Sequence, residues 1–133
     1  MSVYDDVLTA VIDLAEQAGV YAPIVIGPMP PDNGISIAWS AGNLNTFMDK
    51  KAAVSMSAVL NCKHTDQQTA ADALGRIHTF LNMRKDYPSA PSFQITNIET
   101  TGAPVYLGRE ENSQWLYGSS LEVKFYLRGD FIG

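Results

Sequence analysis

One cysteine and two histidines are the side chains of this chain best suited to metal binding or nucleophilic chemistry. Cys62 and His64 lie two positions apart and could supply two metal ligands, but a zinc site takes three or four. His78 falls inside a predicted helix, beside its apolar stripe. We therefore predict no metal site. Cys62 should be a buried thiol, His64 a loop residue between a strand and a helix, and His78 a boundary residue half covered by a sheet.

Adjacent carboxylates offer a second possible chemistry, general acid and base catalysis. Asp5 adjoins Asp6 near the N-terminus, and a second pair occupies positions 110 and 111. Sequence neighbours point apart on a strand or a helix, so neither pair is a natural acid and base couple. The sequence also contains no glycine-rich phosphate loop, no nucleophile elbow and no HExxH motif. We predict no catalytic residue and no cofactor.

Aromatic and methionine side chains stand out in two polar stretches that are predicted to be loops. Phe47 and Met48 lie in the first stretch, and Trp115 and Tyr117 lie in the second. Such side chains either fold back over the ends of the core or serve as anchors at a protein interface. The candidate interface residues are Phe47, Met48, Lys50, Lys51, Arg109, Glu110, Glu111, Trp115 and Tyr117.

Two amphipathic helices are predicted from apolar residues that recur every three or four positions. The first covers Ser2–Ala18 and ends at Gly19. The second begins at Thr65 or Asp66, and its apolar stripe consists of Ala70, Leu74, Ile77 and Leu81.

Strands are predicted where apolar and polar residues alternate. The clearest are Lys51–Cys62, which precedes the second helix, and Gln114–Arg128, which lies in the C-terminal part of the chain. The remaining predictions are a short apolar segment over 20–27, a strand over Ile35–Trp39, a loop over Ser40–Met48, a strand over Ser92–Thr101, a turn over Gly102–Pro104 and the start of a return strand at Val105–Leu107.

This order of elements predicts an α+β fold, a two-layer sandwich with two helices packed on one face of a mainly antiparallel sheet. The 133 residues, 46% of them hydrophobic, are expected to form a single domain over 1–133 with an adequate core. The predicted contact between helix and sheet consists of Met56, Leu60, Leu74, Ile77, Leu81, Val123 and Phe125.

Charge is distributed unevenly along the chain. Residues 1–49 contain six acidic residues and no Lys or Arg, so they carry −6, and the remaining residues carry +1. An acidic surface repels phosphate, so specific DNA or RNA binding is not expected. The sequence has no signal peptide and no apolar run of about 18 residues, which predicts synthesis and folding in a cytosol without a membrane partner.

The whole pattern resembles the minor capsid or tail terminator (tail completion) proteins of long-tailed bacteriophages. The residues behind the resemblance are the first helix ending in Gly19, the proline-rich stretch 26–31, the strand Lys51–Cys62, the helix closing at 81–84 and the final strand over 122–127.

The resemblance implies a structural virion protein without catalytic residues. The resemblance implies that such a subunit forms a hexameric ring with copies of itself on the last ring of the tail tube, where it ends tube growth. Its partners would be the tail tube protein and a head-completion or connector protein, and DNA would pass through the lumen without specific binding. Its location would be the head-proximal end of the tail, after assembly in the host cytoplasm. The alternative function is a small-ligand or peptide-binding module that uses the open face of the sheet, and a small hydrolase is the least favoured.

Overall fold

The computed structural model describes residues 3–28, 32–46, 52–82, 84–111 and 113–127. Two helices pack on one face of a six-stranded, mainly antiparallel sheet, which confirms the predicted α+β class. The elements in chain order are α1 (Val3–Glu16), β1 (Ile24–Ile26), β2 (Ile35–Thr46), β3 (Ala52–His64), α2 (Gln67–Leu81), β4 (Ser89–Ala90), β5 (Phe93–Arg109) and β6 (Trp115–Leu127).

The sheet is built from two long hairpins placed side by side. Its strand order is β1-β2-β3-β6-β5-β4. Strand β1 runs parallel to β2, and all other neighbours are antiparallel. The hairpin β2–β3 therefore joins the hairpin β5–β6 through the β3–β6 pair at the centre, while β1 and β4 cover only short parts of the outer edges.

Capping residues define where the second helix begins and ends. Asp66 is the N-cap of α2, and its carboxylate accepts the backbone N–H of Thr69 at 3.0 Å. At the other end, the backbone N–H of Asn82 donates to the carbonyl of His78 at 2.9 Å. Helices α1 and α2 have 14 and 15 residues, and within the described ranges neither is long and apolar enough to span a membrane.

The predicted contact between helix and sheet is confirmed. The apolar stripe of α2 and the inward positions of β3 and β6 belong to one buried cluster, and Met56 packs against it partly buried. The helix and strand periods place apolar side chains on facing surfaces, and burial of these side chains is the main source of stability for a two-layer fold. The predicted members that lie under 2% exposed are Leu60, Leu74, Ile77, Leu81, Val123 and Phe125.

The predicted loop over Ser40–Met48 is wrong as far as Thr46, because β2 continues to that residue. Its pairing with β3 shifts register between Trp39 and Ala41 and then runs to the pair Thr46 with Ala52. Strand pairing uses backbone groups, so this polar, glycine-containing stretch can join the sheet without the alternation that marks other strands. Residues 47 and 48 lie outside the described ranges.

The predicted turn over Gly102–Pro104 is also wrong, since these residues lie inside β5. The strand absorbs them through register shifts on both sides of Gly102. A Cβ at Gly102 would lie 2.5 Å from Oγ of Ser120, so glycine permits the close approach of the two strands. Pro104 is tolerated because β5 is an edge strand at this point, where a missing N–H costs no ladder hydrogen bond.

Both histidines differ from their predicted positions. His64 is the last residue of β3 instead of a loop residue, and its Nδ1 accepts the N–H of Asp66 at 2.9 Å. His78 is buried at 6% exposure, beyond the predicted half coverage. Its ring nitrogens lie 2.8 Å from Oγ1 of Thr100 and 2.7 Å from Oγ of Ser119. Both nitrogens of this neutral ring have a hydrogen-bond partner, and these bonds link α2 to the sheet.

We expect acidification below about pH 6.5 to destabilise the protein through His78. Burial lowers the pKa of this imidazole from its ordinary value of 6.5, so the unfolded chain takes up the proton at a higher pH than the folded chain. This contribution to the free energy of unfolding is complete above about pH 6.5 and falls with pH below it, by at most about 1.4 kcal/mol per pH unit.

Urea unfolding between about pH 7.5 and pH 5.5, above the range in which ordinary carboxyl groups titrate, measures this effect. The matched control is His78→Gln, which keeps polar atoms in the site but takes up no proton. Its free energy of unfolding should vary less with pH than that of the parent. Equal slopes for the two proteins would contradict the assignment.

Candidate docking surface

Cys62 and His78, two of the residues considered for metal binding or nucleophilic chemistry, are buried and have structural roles. Cys62 is fully buried, its thiol donates to the carbonyl of Ala70 at 3.1 Å, and burial raises its pKa to about 11. The Ser119 hydroxyl next to His78 donates to the carbonyl of Leu60 at 3.0 Å, so its proton is not directed to the imidazole. Within the described residues, no three His, Cys, Asp or Glu side chains form a group that could hold a metal ion.

A cluster of aromatic rings lies where β5 ends and β6 begins. The ring of Tyr106 is 5.9 Å from that of Trp115 and 5.7 Å from that of Tyr117, measured between centroids. The guanidinium of Arg109 lies over the Trp115 ring at 4.9 Å, a geometry that favours cation–π attraction. The Tyr117 hydroxyl also accepts a hydrogen bond from the side chain of Gln67 at 3.0 Å. The structure therefore brings the predicted Arg109, Trp115 and Tyr117 together around Tyr106.

Three consecutive large apolar side chains beside this cluster are exposed, and we call them the β5 patch: Val105, Tyr106 and Leu107. Their exposed fractions are 55%, 52% and 57%. Leu107 lies over Gly118, where an added Cβ would be 2.7 Å from its Cδ1. Adjacent exposed apolar residues on a sheet edge are typical of surfaces that another chain covers.

The tip of the β5–β6 hairpin is anchored to the rest of the sheet. Nζ of Lys63 lies 3.0 Å from Oε1 of Glu110, and the Lys63 side chain is only 7% exposed. The side-chain oxygen of Gln114 accepts the backbone N–H of Asn33 at 2.8 Å, and its backbone carbonyl accepts the N–H of Glu110 at the same distance. These contacts hold the β5 patch on an ordered support, which lowers the entropic cost of docking.

The other predicted interface residues have different positions. Glu110 is engaged with Lys63, and Glu111 is exposed in the turn that follows β5. Phe47, Met48, Lys50 and Lys51 lie outside the described residues.

The described residues next to the two predicted interface loops lie at opposite ends of the sheet. Strand β3 begins at Ala52, which is paired with Leu127 at one end, and it finishes at His64, which is paired with Trp115 at the other. The two ends of this sheet can present two unlike surfaces.

The exposed members of the β5 patch were not among the sequence-based candidates. Because Gly102–Pro104 resembled a turn, Val105–Leu107 was interpreted as the start of a return strand. The run of three large apolar residues was the sequence signal for this exposed patch, since a strand with one buried face alternates apolar with polar residues. Such a run shortly after a proline fits an edge strand that presents apolar side chains on both faces.

Two cavities bear on the alternative of a small-ligand module. The open face of the sheet carries a cavity of about 240 Å³ next to Lys124 and Tyr126, smaller than the roughly 300–1,000 Å³ usual for ligand sites. A larger surface groove of about 600 Å³ lies on the helix layer, between Ala18 and the outer side of α2. The cavity that the described residues form on the open sheet face is therefore below the usual size of a ligand site.

Comparison with known proteins shows the fold. No protein-family model matches the chain, and no curated protein matches it. Among solved structures, the chain is similar to one from the virion of a native gene transfer agent (GTA) particle, with a TM-score of 0.58 and 12% sequence identity. The match covers 92% of this chain and 98% of that chain. At this identity the likeness is one of fold, and it extends over nearly the whole length of both chains.

Proposed function

We propose that this chain is a structural virion protein, a tail terminator or minor capsid protein of a long-tailed bacteriophage. In this role it forms a hexameric ring at the head-proximal end of the tail tube, ends tube growth and joins the tail to the head. The observation that carries the proposal is the exposed β5 patch with its anchored aromatic cluster. The fold shared with a chain of a virion supports it.

The patch supports assembly because it is costly to leave uncovered. Exposed apolar residues on an edge strand invite pairing with another chain, and monomeric proteins usually protect such edges with charge or a covering segment. The aromatic rings and the guanidinium of Arg109 provide the residue types that dominate interface energies. These features suit a docking surface better than a catalytic site.

Charge and shape fit a ring whose subunits meet through two different surfaces. A ring requires heterologous contacts, in which one patch of a subunit meets a different patch of its neighbour. The acidic N-terminal 49 residues and the remainder, which holds all nine basic residues, supply unlike surfaces. The partners in this proposal are further copies of the chain, the tail tube protein and a head-completion or connector protein. Acidic side chains facing a lumen would let DNA pass without binding.

Assembly with the tail tube protein of the same virion tests the proposal. We expect negative-stain electron microscopy to show ring-shaped caps at one end of the tubes and tubes of bounded length. Tubes assembled without the protein are the control and should keep growing. Light scattering reports whether rings also form in solution, since terminators of this type can stay monomeric until they meet a tube. Uncapped tubes of unlimited length in the presence of the protein would contradict the proposed function.

A further inference from the structure

The exposed apolar side chains concentrate on the two outer edges of the sheet. Of the five large hydrophobic residues that are exposed among the described residues, four lie on edge strands. Ile26 of β1 is 49% exposed on one edge, and the β5 patch lies on the other. Two separate apolar edges on one sheet suggest two halves of a single contact.

The β5 edge is covered up to Thr100 and free of described strands beyond it. The carbonyl of Pro88 accepts the N–H of Ile95 at 3.2 Å, and the side-chain oxygen of Asn82 accepts the N–H of Thr100 at 2.9 Å. Strand β4 pairs only with Phe93 and Gln94. From position 101 to Arg109, no strand of the described residues pairs with the outer side of β5. The β5 patch therefore occupies the uncovered part of the edge.

On the β1 edge, the backbone N–H and carbonyl of Ile26 point outward from the sheet. The N–H of Gly27 donates inward to Ile37 of β2 at 3.1 Å, and the N–H of Ile24 donates to the carboxylate of Glu16 at 2.9 Å. Successive residues of a strand point to opposite sides, so the N–H and carbonyl of Ile26 point away from β2. This edge is short and Glu16 occupies it at Ile24, so Ile26 is its position placed to accept another strand.

The two edges match in level and direction. Register places Val25 beside Ser36, Ser36 beside Asn61 and Asn61 beside Gly118, the partner of Val105. Val25 and Val105 therefore lie at the same height and on the same face, on opposite edges of the sheet, and Ile26 is one residue further along β1. Because β1 is parallel to β2 and the next three pairs are antiparallel, β1 runs opposite to β5.

We propose that the subunits of this protein associate by antiparallel strand pairing, with β5 of one copy beside β1 of the next, around Val105 and Ile26. The occupant of the β5 patch is a second copy of this chain, since the chain itself carries an edge of matching height, direction and apolar character. The contact is heterologous and repeats from copy to copy. In this pairing the Glu16 carboxylate at Ile24 of one copy lies toward the end of β5 that carries the exposed Arg109 of its neighbour. Closure into a ring rests on the proposed function.

Disulfide trapping tests the pairing. The double variant Val25→Cys with Val105→Cys, whose side chains lie at the same height and on the same face of the sheet, should give a ladder of covalent oligomers when oxidised in solution and on tube ends. The native Cys62 is fully buried and should not contribute. The matched control is Gln68→Cys with Val105→Cys, in which the first cysteine lies on the exposed side of α2, and it should give at most dimers. Equal ladders from both pairs, or no ladder from the first, would overturn the pairing.

A charge on the free edge provides a second measurement that does not depend on thiol chemistry. Val105→Lys should weaken self-association by about tenfold or more, because a lysine blocks strand pairing and would be buried in the contact. Gln68→Lys, which adds the same charge on α2, is the control. Both variants should unfold at the temperature of the parent, since both sites are exposed. Unchanged association of Val105→Lys would overturn the pairing.

The outcomes separate this inference from the proposed function. Capped tubes without a ladder from the Val25 and Val105 pair would overturn the strand pairing and leave the terminator role standing. A ladder from a protein that leaves tubes uncapped would support the pairing and overturn the terminator role.

Discussion

Phe125→Ala should lower the free energy of unfolding by about 3 to 5 kcal/mol. Phe125 is 1% exposed, lies between Val54 and Ile95 in the sheet register and meets the ring of Tyr4 edge to face at 6.2 Å. Truncation removes contacts with both neighbouring strands and with α1, and the surrounding backbone can fill the cavity only in part. Such a loss is a large share of the roughly 5 to 15 kcal/mol typical of a folded domain.

Urea unfolding of the purified variant measures this effect. Phe125→Leu should lose clearly less, because it leaves a smaller cavity, and Gln68→Ala on the exposed side of α2 should change the free energy of unfolding by about 0.5 kcal/mol or less. A loss under about 1 kcal/mol for Phe125→Ala would mean that the contact between helix and sheet does not carry the stability of the fold.

Trp115→Ala should abolish function in assembly while leaving a folded subunit. Trp115 is half-buried between Arg109 and Tyr106 at the start of β6, away from the main core. If it is an anchor of the docking surface, its truncation should cost roughly 2 kcal/mol or more of association free energy. Tails made with the variant should lose length control or fail to join heads, and the purified subunit should unfold within about 1 kcal/mol of the parent.

Phe80→Ala is the matched control for this prediction. Phe80 is also half-buried and lies under an arginine, with the guanidinium of Arg84 at 4.4 Å from its ring, but it faces the groove of the helix layer. It should leave tail length and head joining unchanged. Normal infectious particles from Trp115→Ala would show that this aromatic cluster is not a docking surface. An unfolded Trp115→Ala subunit would show that the cluster covers the end of the core.

The helices and central strands could be predicted because their signals are local. The stripe through Leu74 and Ile77 repeats at the helical period, and Leu60 and Val123 lie on strands that alternate. These periods follow from which side chains must be buried, so they identify both the elements and the face that each turns to the core. The N-cap at Asp66 is local in the same way, since its carboxylate bonds to a residue three positions later.

The wrong loop prediction, over residues 40–46, and the wrong turn prediction, over Gly102–Pro104, share one cause. Glycine, proline and polar residues are common in turns, and both stretches are rich in them. In the folded protein these stretches belong to β2 and β5, which pair with β3 and β6 through backbone groups and do not need an alternating side-chain pattern. Whether such a stretch turns or continues depends on the strand beside it, and that strand is distant in sequence.

The amino-acid sequence by itself determined the α+β class, the helix-to-sheet core and the acidic N-terminal part, because composition and periodicity express burial directly. Only the tertiary structure decided the strand order, the burial of His78 against Ser119 and the equal height of Val25 and Val105 on opposite edges. These depend on hydrogen bonds and packing between residues far apart in the chain. No local pattern specifies which strands become neighbours, and so none specifies which side chains remain exposed at the edges.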